Sequence, residues 1–88
     1  MGIELAWVQG GTASVMHTDG ALVTVRSTRA SAPGTPLVAN TTLGTSAVVR
    51  MKVQDCRREA DGAFVIRGRW LDLSRATREE IVGLMQGG

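Results

Sequence analysis

The 88-residue chain has few of the residues from which metal and redox sites are built. It contains one histidine, His17, and one cysteine, Cys56. An ordinary structural zinc site needs four such ligands, so the chain cannot assemble one alone, although a Cys56–His17 pair stays open. A single cysteine forms no internal disulfide, which fits a reducing cytoplasm. Apart from the possible pair with His17, we expect Cys56 to pack in a strand as a small apolar side chain.

Long hydrophobic runs are also missing. No apolar segment approaches the roughly 18 residues that a membrane helix needs. The N-terminus lacks the basic region followed by an apolar core that marks a signal peptide. We therefore expect a cytoplasmic domain that does not insert into a membrane.

Charge of one sign is not concentrated anywhere along the chain. Ten cationic residues, nine of them arginine, face eight acidic ones, for a net charge of +2. Asp55 and Glu59 bracket Arg57 and Arg58, so the surface is mixed and not a stripe for polyanions. The three aromatic residues are too few for a base-stacking platform. A small nucleic-acid-binding barrel is accordingly a minor alternative.

Catalytic motifs are absent as well. The sequence has no H-E-x-x-H and no serine, histidine and acid arranged as a triad. Gly10-Gly11 precedes a predicted strand, so it lacks the helix dipole that would hold a phosphate. The sequence therefore predicts a non-enzymatic protein without a cofactor.

Alternating apolar residues between frequent glycines predict a mainly β chain, with residues 1–88 forming a single domain. Thr18-Asp19-Gly20 and Asp61-Gly62 have the residue types of tight turns. Asn40 and neighbouring threonines favour an exposed or edge position for their strand, whereas Trp7 and Trp70 are expected in the core or at a barrel mouth. The pattern predicts a small six-stranded antiparallel β-barrel with a C-terminal α-helix. Ser74 can cap the N-terminus of this helix, and Thr77 to Glu80 also match a capping box. The predicted strands are 3–9, 12–16, 21–26, 37–43, 46–56 and 63–73, and the predicted helix is 75–86.

Four segments then resemble a PilZ domain in their order and spacing. They are Asp19-Gly20-Ala21-Leu22-Val23, the Pro33-Gly34-Thr35-Pro36 loop, the strand ending in Val48-Val49-Arg50-Met51, and the stretch from Phe64 to Ser74. PilZ domains are bacterial six-stranded barrels, many of which sense cyclic di-GMP. The resemblance, which runs from Asp19 to Met85, implies a regulatory role in signalling that controls motility, polarity, pilus biogenesis or exopolysaccharide.

The residues with which that family binds its ligand are largely replaced in this chain. An Arg-x-x-x-Arg arm should precede the first strand, yet no arginine occurs before Arg26. An Asp/Asn-x-Ser-x-x-Gly motif that reads guanine should fall on residues 15–20, where only Gly20 is kept. Val15 stands for Asp/Asn and His17 for Ser, and valine has no polar atom for a base edge. The resemblance thus implies a protein-interaction module that does not bind cyclic di-GMP in the family's usual way.

Two sets of residues are candidate sites. The remnant of a nucleotide site consists of Gly20, His17, Arg26 and Arg29, and it would serve a cyclic di-GMP receptor whose arm lies outside this chain. Side chains from two neighbouring strands form a candidate surface for an unidentified protein partner, or alternatively for nucleic acid; they are Arg50, Lys52, Arg67 and Arg69. For both sets, the competing interpretation is that these are ordinary solvated residues of turns, loops and a sheet face, with no binding role.

Overall fold

The computed structural model describes residues 3–41, 47–71 and 74–86, which form six strands and one helix. The strands close a barrel in the order β1-β2-β3-β6-β5-β4, and every neighbouring pair is antiparallel. This confirms the predicted six-stranded antiparallel β-barrel with a C-terminal helix. The elements are β1 (Ile3–Trp7), β2 (Thr12–Thr18), β3 (Leu22–Ser27), β4 (Pro36–Thr41), β5 (Ala47–Arg58), β6 (Phe64–Leu71) and α1 (Arg75–Gln86).

The barrel core follows from the alternation of apolar and polar residues in the strands. Side chains at every second position point inward, and Leu5, Val25, Met51 and Ile66 are almost completely buried. Helix α1 adds Ile81, which is 1% exposed and belongs to the same cluster. The helix contacts β1 and β2, whose outward-facing residues Glu4, Ala6 and Met16 remain exposed.

Helix α1 begins and ends at the predicted residues. The Ser74 hydroxyl accepts a hydrogen bond from the backbone N–H of Thr77 at 3.1 Å, which is the predicted N-cap. The side chains of Leu84 and Met85, expected on the same apolar stripe as Ile81, lie outside the described residues. Over the described part of the chain, no helix combines the length and apolar character needed to cross a membrane.

Two strands contain a β-bulge, and both extend further than predicted. The register shifts between Val15 and His17 in β2, and between Val53 and Asp55 in β5. An extra residue at each point changes the phase of the alternation, so the apolar–polar pattern breaks while the ladder continues. The range 12–16 therefore ends too early, because β2 reaches Thr18. The range 46–56 also ends too early, because the polar residues Arg57 and Arg58 continue the β5–β6 ladder.

Strand β1 is shorter than predicted because a glycine turn begins at its last residue. The Trp7 carbonyl accepts from the Gly10 N–H, and the Trp7 N–H donates to the Gly11 carbonyl, both at 3.0 Å. Gly10 and Gly11 have φ of 110° and 92°, which closes this turn. Residues 8 and 9 consequently lie in the turn. The predicted ranges 21–26 and 63–73 differ at their ends from β3 and β6, and residues 72–73 lie outside the described part.

Of the two positions predicted for the strand at 37–43, exposed or edge, the edge is wrong. Strand β4 pairs with β5 on one side and with β1 on the other, because the barrel closes there. Asn40 is exposed on the outer wall, as its polarity suggested, but Thr41 is buried. Asn40 therefore marks the outer face of β4 and not the edge of a sheet. Residues 42–43 of the predicted range lie outside the described residues.

Both tryptophans are buried, as predicted, and each donates to a buried hydroxyl group. Trp70 Nε1 donates to Oγ1 of Thr18, the last residue of β2, at 3.0 Å. Trp7 Nε1 donates to Oγ of Ser27, the last residue of β3, at 2.9 Å. The Thr18 hydroxyl also accepts from the Gly20 N–H and donates to the Leu22 carbonyl. These hydrogen bonds join β6 to the β2–β3 turn and β1 to the end of β3.

Candidate interaction surface

The bulged strands border a groove on the outer wall of the barrel. The groove has a volume of about 440 Å³ and is lined by residues of β2, β3, β5 and β6, among them His17, Thr24 and Gln54. A second recess of about 320 Å³ adjoins it and shares Thr24, Asp55 and Arg67 with it. The wall is therefore concave where both bulges lie, and Met16 at the first bulge is half exposed beside the second recess.

An ion pair joins the two concavities. Asp55 and Arg67 are opposite each other in the β5–β6 ladder, and Arg67 Nε lies 3.0 Å from Asp55 Oδ2. A second guanidinium nitrogen of Arg67 contacts the same oxygen. Both side chains are largely exposed, so the pair contributes at most about 1 kcal/mol to stability. Its main effect is to hold the Arg67 guanidinium on Asp55.

Residues 15–20, on which the resemblance places a ligand motif, divide between the two faces of the barrel wall. Val15 points into the core and is 3% exposed, whereas His17, after the bulge, is exposed on the outer wall opposite Thr24. Gly20 is buried, with φ of 96°, and a Cβ built on it would lie 3.3 Å from atoms of Arg78 and Val82. Gly20 therefore allows the turn and the close packing of α1, and it offers no open surface to a ligand.

The two arginines of the nucleotide-site remnant have protein partners. Arg26 forms an ion pair with Asp61 of the β5–β6 turn. Arg29 donates from Nη1 to the carbonyls of Gln9 at 2.9 Å and Gly10 at 3.2 Å, and so fastens the β1–β2 turn. Gly20 precedes β3 and Arg29 follows it. The structure therefore does not bring His17, Gly20, Arg26 and Arg29 together into one site.

The turn between β2 and β3 is organised by the Asp19 carboxylate. Asp19 Oδ1 accepts hydrogen bonds from the backbone N–H groups of Leu22 at 2.8 Å and Ala21 at 2.9 Å. These bonds to Leu22 and Ala21 hold the pKa of Asp19 below its ordinary value of 3.8. The charged form is thus the one that the folded turn favours.

Replacing this carboxylate should make the stability of the domain less sensitive to acid. Because the folded pKa of Asp19 is lower than the unfolded one, the carboxylate stabilises the fold fully above pH 3.8, and this contribution is lost as the pH falls through the folded pKa. We expect Asp19→Asn to be less stable than wild type at pH 7, with a difference that shrinks towards pH 2. Urea unfolding at a series of pH values measures this. An unchanged difference across the series would contradict it.

Three cations cluster on the outer wall next to the groove, and we call Arg50, Lys52 and Arg69 the cationic patch. Lys52 and Arg69 are opposite each other in the β5–β6 ladder, and Arg50 lies two residues before Lys52 on β5. All three side chains are exposed. The fourth cation of the predicted surface, Arg67, faces the same side, but its guanidinium is held by Asp55.

The cationic patch differs in its neighbours from Arg67, which lies on the same two strands. Within residues 3–41, 47–71 and 74–86, ion pairs engage Arg26, Arg57, Arg67 and Arg75, and none engages a cation of the patch. The ladder positions beside the patch are apolar instead: Leu22 faces Arg69, Pro36 faces Lys52, and Leu71 and Val38 face Arg50. On an ordinary solvated sheet face, acidic residues would lie beside the cations. Arg67 has such a neighbour in Asp55, and the ladder positions beside the patch hold none.

The lone histidine and cysteine do not meet. His17 is on the outer wall of β2, while Cys56 is half-buried and packs against the core from β5. No group of three or more histidine, cysteine or acidic side chains in the described ranges is placed to hold a metal ion.

The groove and its ion pair were missed by sequence reasoning. Two signals were available: alternation fails at Met16-His17 and at Gln54-Asp55, and Asp55 is the one acidic residue in the sequence of β5. A failure of alternation next to a continuing strand is typical of a bulge. Which cation Asp55 would neutralise depends on the register of β5 against β6, which the bulge itself shifts.

Comparisons with known protein-family models, curated proteins and solved structures found no match to the chain.

Proposed function

We propose that the chain is a non-enzymatic, PilZ-like regulatory module of a bacterial cytoplasmic signalling pathway, of the kind that controls motility, polarity or exopolysaccharide. In this proposal it acts by binding another protein through its outer wall and does not respond to cyclic di-GMP. The resemblance of residues 19–85 to PilZ domains and the closed six-stranded barrel with its C-terminal helix support the choice of scaffold.

The burial of Val15 is the observation that carries the proposal. The resemblance places a base-reading Asp or Asn at this position, and here the side chain is apolar and turned into the core. A polar group could not be restored there without burying it among apolar side chains, at a cost of about 1–3 kcal/mol. Val15 therefore stabilises the core, and the outer wall has no polar side chain from this position with which to contact guanine.

The remaining residues of the family's site support the same conclusion. Arg26 and Arg29 are engaged with Asp61 and with backbone carbonyls, and Gly20 lies under α1. By contrast, the cationic patch is exposed and has no ion-pair partner among the described residues. A scaffold that has given up its ligand contacts but presents such a surface is suited to a protein partner.

Cyclic di-GMP should therefore give no saturable heat when titrated calorimetrically into the protein at micromolar concentrations. Two variants sharpen the test. His17→Ser restores the exposed residue of the motif, and an Arg-x-x-x-Arg segment fused before Met1 restores the arm. Neither is expected to create binding, because the Val15 position cannot reach a ligand on the outer wall. Micromolar binding by the unmodified chain would refute the proposal, and binding only with the added arm would favour the receptor alternative.

A further inference from the structure

Three exposed cations gathered without a counter-charge indicate what the barrel wall recognises. Like charges directly opposite in a ladder are destabilising, and Lys52 and Arg69 form such a pair. On the same two strands, by contrast, Asp55 forms an ion pair with Arg67. At the patch the repulsion is left in place, so an anionic group from outside the described residues would relieve it.

The spacing of the patch suits closely placed carboxylates. Opposite residues of an antiparallel pair have Cα atoms about 5 Å apart, and residues two apart on a strand are about 6.6 Å apart. Carboxylates at neighbouring positions on one face of a peptide have the same separation, about 5–6 Å in a helix. One short segment could therefore reach all three cations at once.

Apolar side chains around the patch indicate that the ligand is not purely ionic. Leu22 is 49% exposed beside Arg69, and Val48, two residues before Arg50 on β5, is 59% exposed. The half-buried residues Leu71 and Val38 occupy the ladder positions on either side of Arg50. A partner that covers both the cations and these aliphatic groups must combine carboxylates with apolar side chains.

We propose that the cationic patch, with Leu22 and Val48 at its margins, binds a short acidic segment of a partner protein in which apolar side chains accompany the carboxylates. This inference rests on the proposed function and names the chemistry of the partner. Nucleic acid fits the surface less well, because Trp7 and Trp70 are buried and provide no stacking platform.

A random-peptide display library tests this chemistry with the intact chain as bait. We expect enriched peptides to contain several Asp or Glu residues together with Leu, Ile or Phe. The strongest peptides are then synthesised with a fluorescent label and titrated by anisotropy against three proteins: wild type, Lys52→Glu/Arg69→Glu, and the matched control Arg57→Glu/Arg58→Glu. Both double variants change the net charge equally, and the control residues are exposed near the far end of the same strand β5.

The patch variant should weaken peptide binding at least about tenfold, whereas the control should stay within about twofold of wild type. Binding should also weaken as salt is raised. Single Lys52→Glu, which turns the repulsive pair with Arg69 into an attractive one, serves if the double variant does not fold, and it should also weaken binding. Lack of enrichment, enrichment of non-acidic peptides, or equal loss in both double variants would overturn the proposal.

Two further ligands separate the alternatives. A single-stranded oligonucleotide and phosphatidylserine vesicles are titrated under the same conditions, and either one binding more tightly than the peptides in a patch-dependent way would overturn the assignment to a protein segment. The outcome is distinguishable from that of the cyclic di-GMP titration. If the chain binds neither cyclic di-GMP nor any acidic peptide, the proposal for the cationic patch is refuted. The proposal that the chain does not respond to cyclic di-GMP would still stand.

Discussion

Replacing Gly68 with alanine is expected to destabilise the domain by about 3 kcal/mol and to lower its Tm by roughly 12–24 °C. Gly68 lies in the middle of β6, paired with Val23 on one side and Val53 on the other. A Cβ built on it would lie 2.5 Å from the backbone carbonyl oxygen of Lys52 and 2.5 Å from the Met51 methyl group. The methyl group can rotate away, but the carbonyl belongs to β5, so the two strands would have to separate.

Gly83→Ala is the matched control for this prediction. Gly83 is exposed in α1, and a Cβ there would have no atom within 4 Å. Alanine is the better helix former, so this variant should gain about 0.5–1 kcal/mol. The same added methyl group is thus expected to have opposite effects in β6 and in α1. Urea unfolding measures both, and a Gly68→Ala variant within about 0.5 kcal/mol of wild type would show that the β5–β6 approach is not close.

The second large effect is expected from Thr18→Val, which should cost about 3 kcal/mol. Valine matches threonine in shape but lacks the hydroxyl that accepts from Trp70 Nε1 and from the Gly20 N–H. Thr18 is 5% exposed, so both donors would remain in a site that water reaches poorly. Each buried donor left without a partner costs about 1–3 kcal/mol, and the hydrogen bond to the Leu22 carbonyl is lost in addition.

Two comparisons show whether the hydroxyl is responsible. Thr18→Ser keeps the oxygen and removes a methyl group, so it should cost only about 1 kcal/mol. In a double-mutant cycle with Trp70→Phe, the indole N–H is removed together with its acceptor, and the double variant should be more stable than the sum of the two single effects predicts. Strict additivity in chemical denaturation would mean that the Trp70–Thr18 hydrogen bond contributes little.

Much of the fold was predictable from local patterns, for reasons that particular elements make clear. The alternation Val49, Met51, Val53 defines an inward face of β5 whatever its neighbours are. Asp19-Gly20 and Asp61-Gly62 mark turns because glycine tolerates the positive φ found at both positions. Ser74 caps α1 with its own hydroxyl. Each of these signals involves residues close together in the chain, so no tertiary information is needed to read them.

The candidate sites were less predictable, because their chemistry depends on contacts between distant residues. Arg67 and Arg69 are equivalent in the sequence, yet one faces Asp55 and the other faces Lys52. The difference arises from the β5 bulge, which sets Asp55 opposite Arg67. Similarly, nothing in the sequence near Arg26 or Arg29 identifies Asp61 and the carbonyls of residues 9 and 10 as their partners.

The sequence by itself determined the mainly β architecture, the number of strands and the helix limits. All of these depend on residue type and local spacing. Tertiary structure alone decided that β4 is not an edge, that Val15 faces the core, and that Arg50, Lys52 and Arg69 stand together without an ion-pair partner among the described residues. The physical reason is that barrel closure and strand register select the neighbours of each side chain, and bulges shift that register without changing composition.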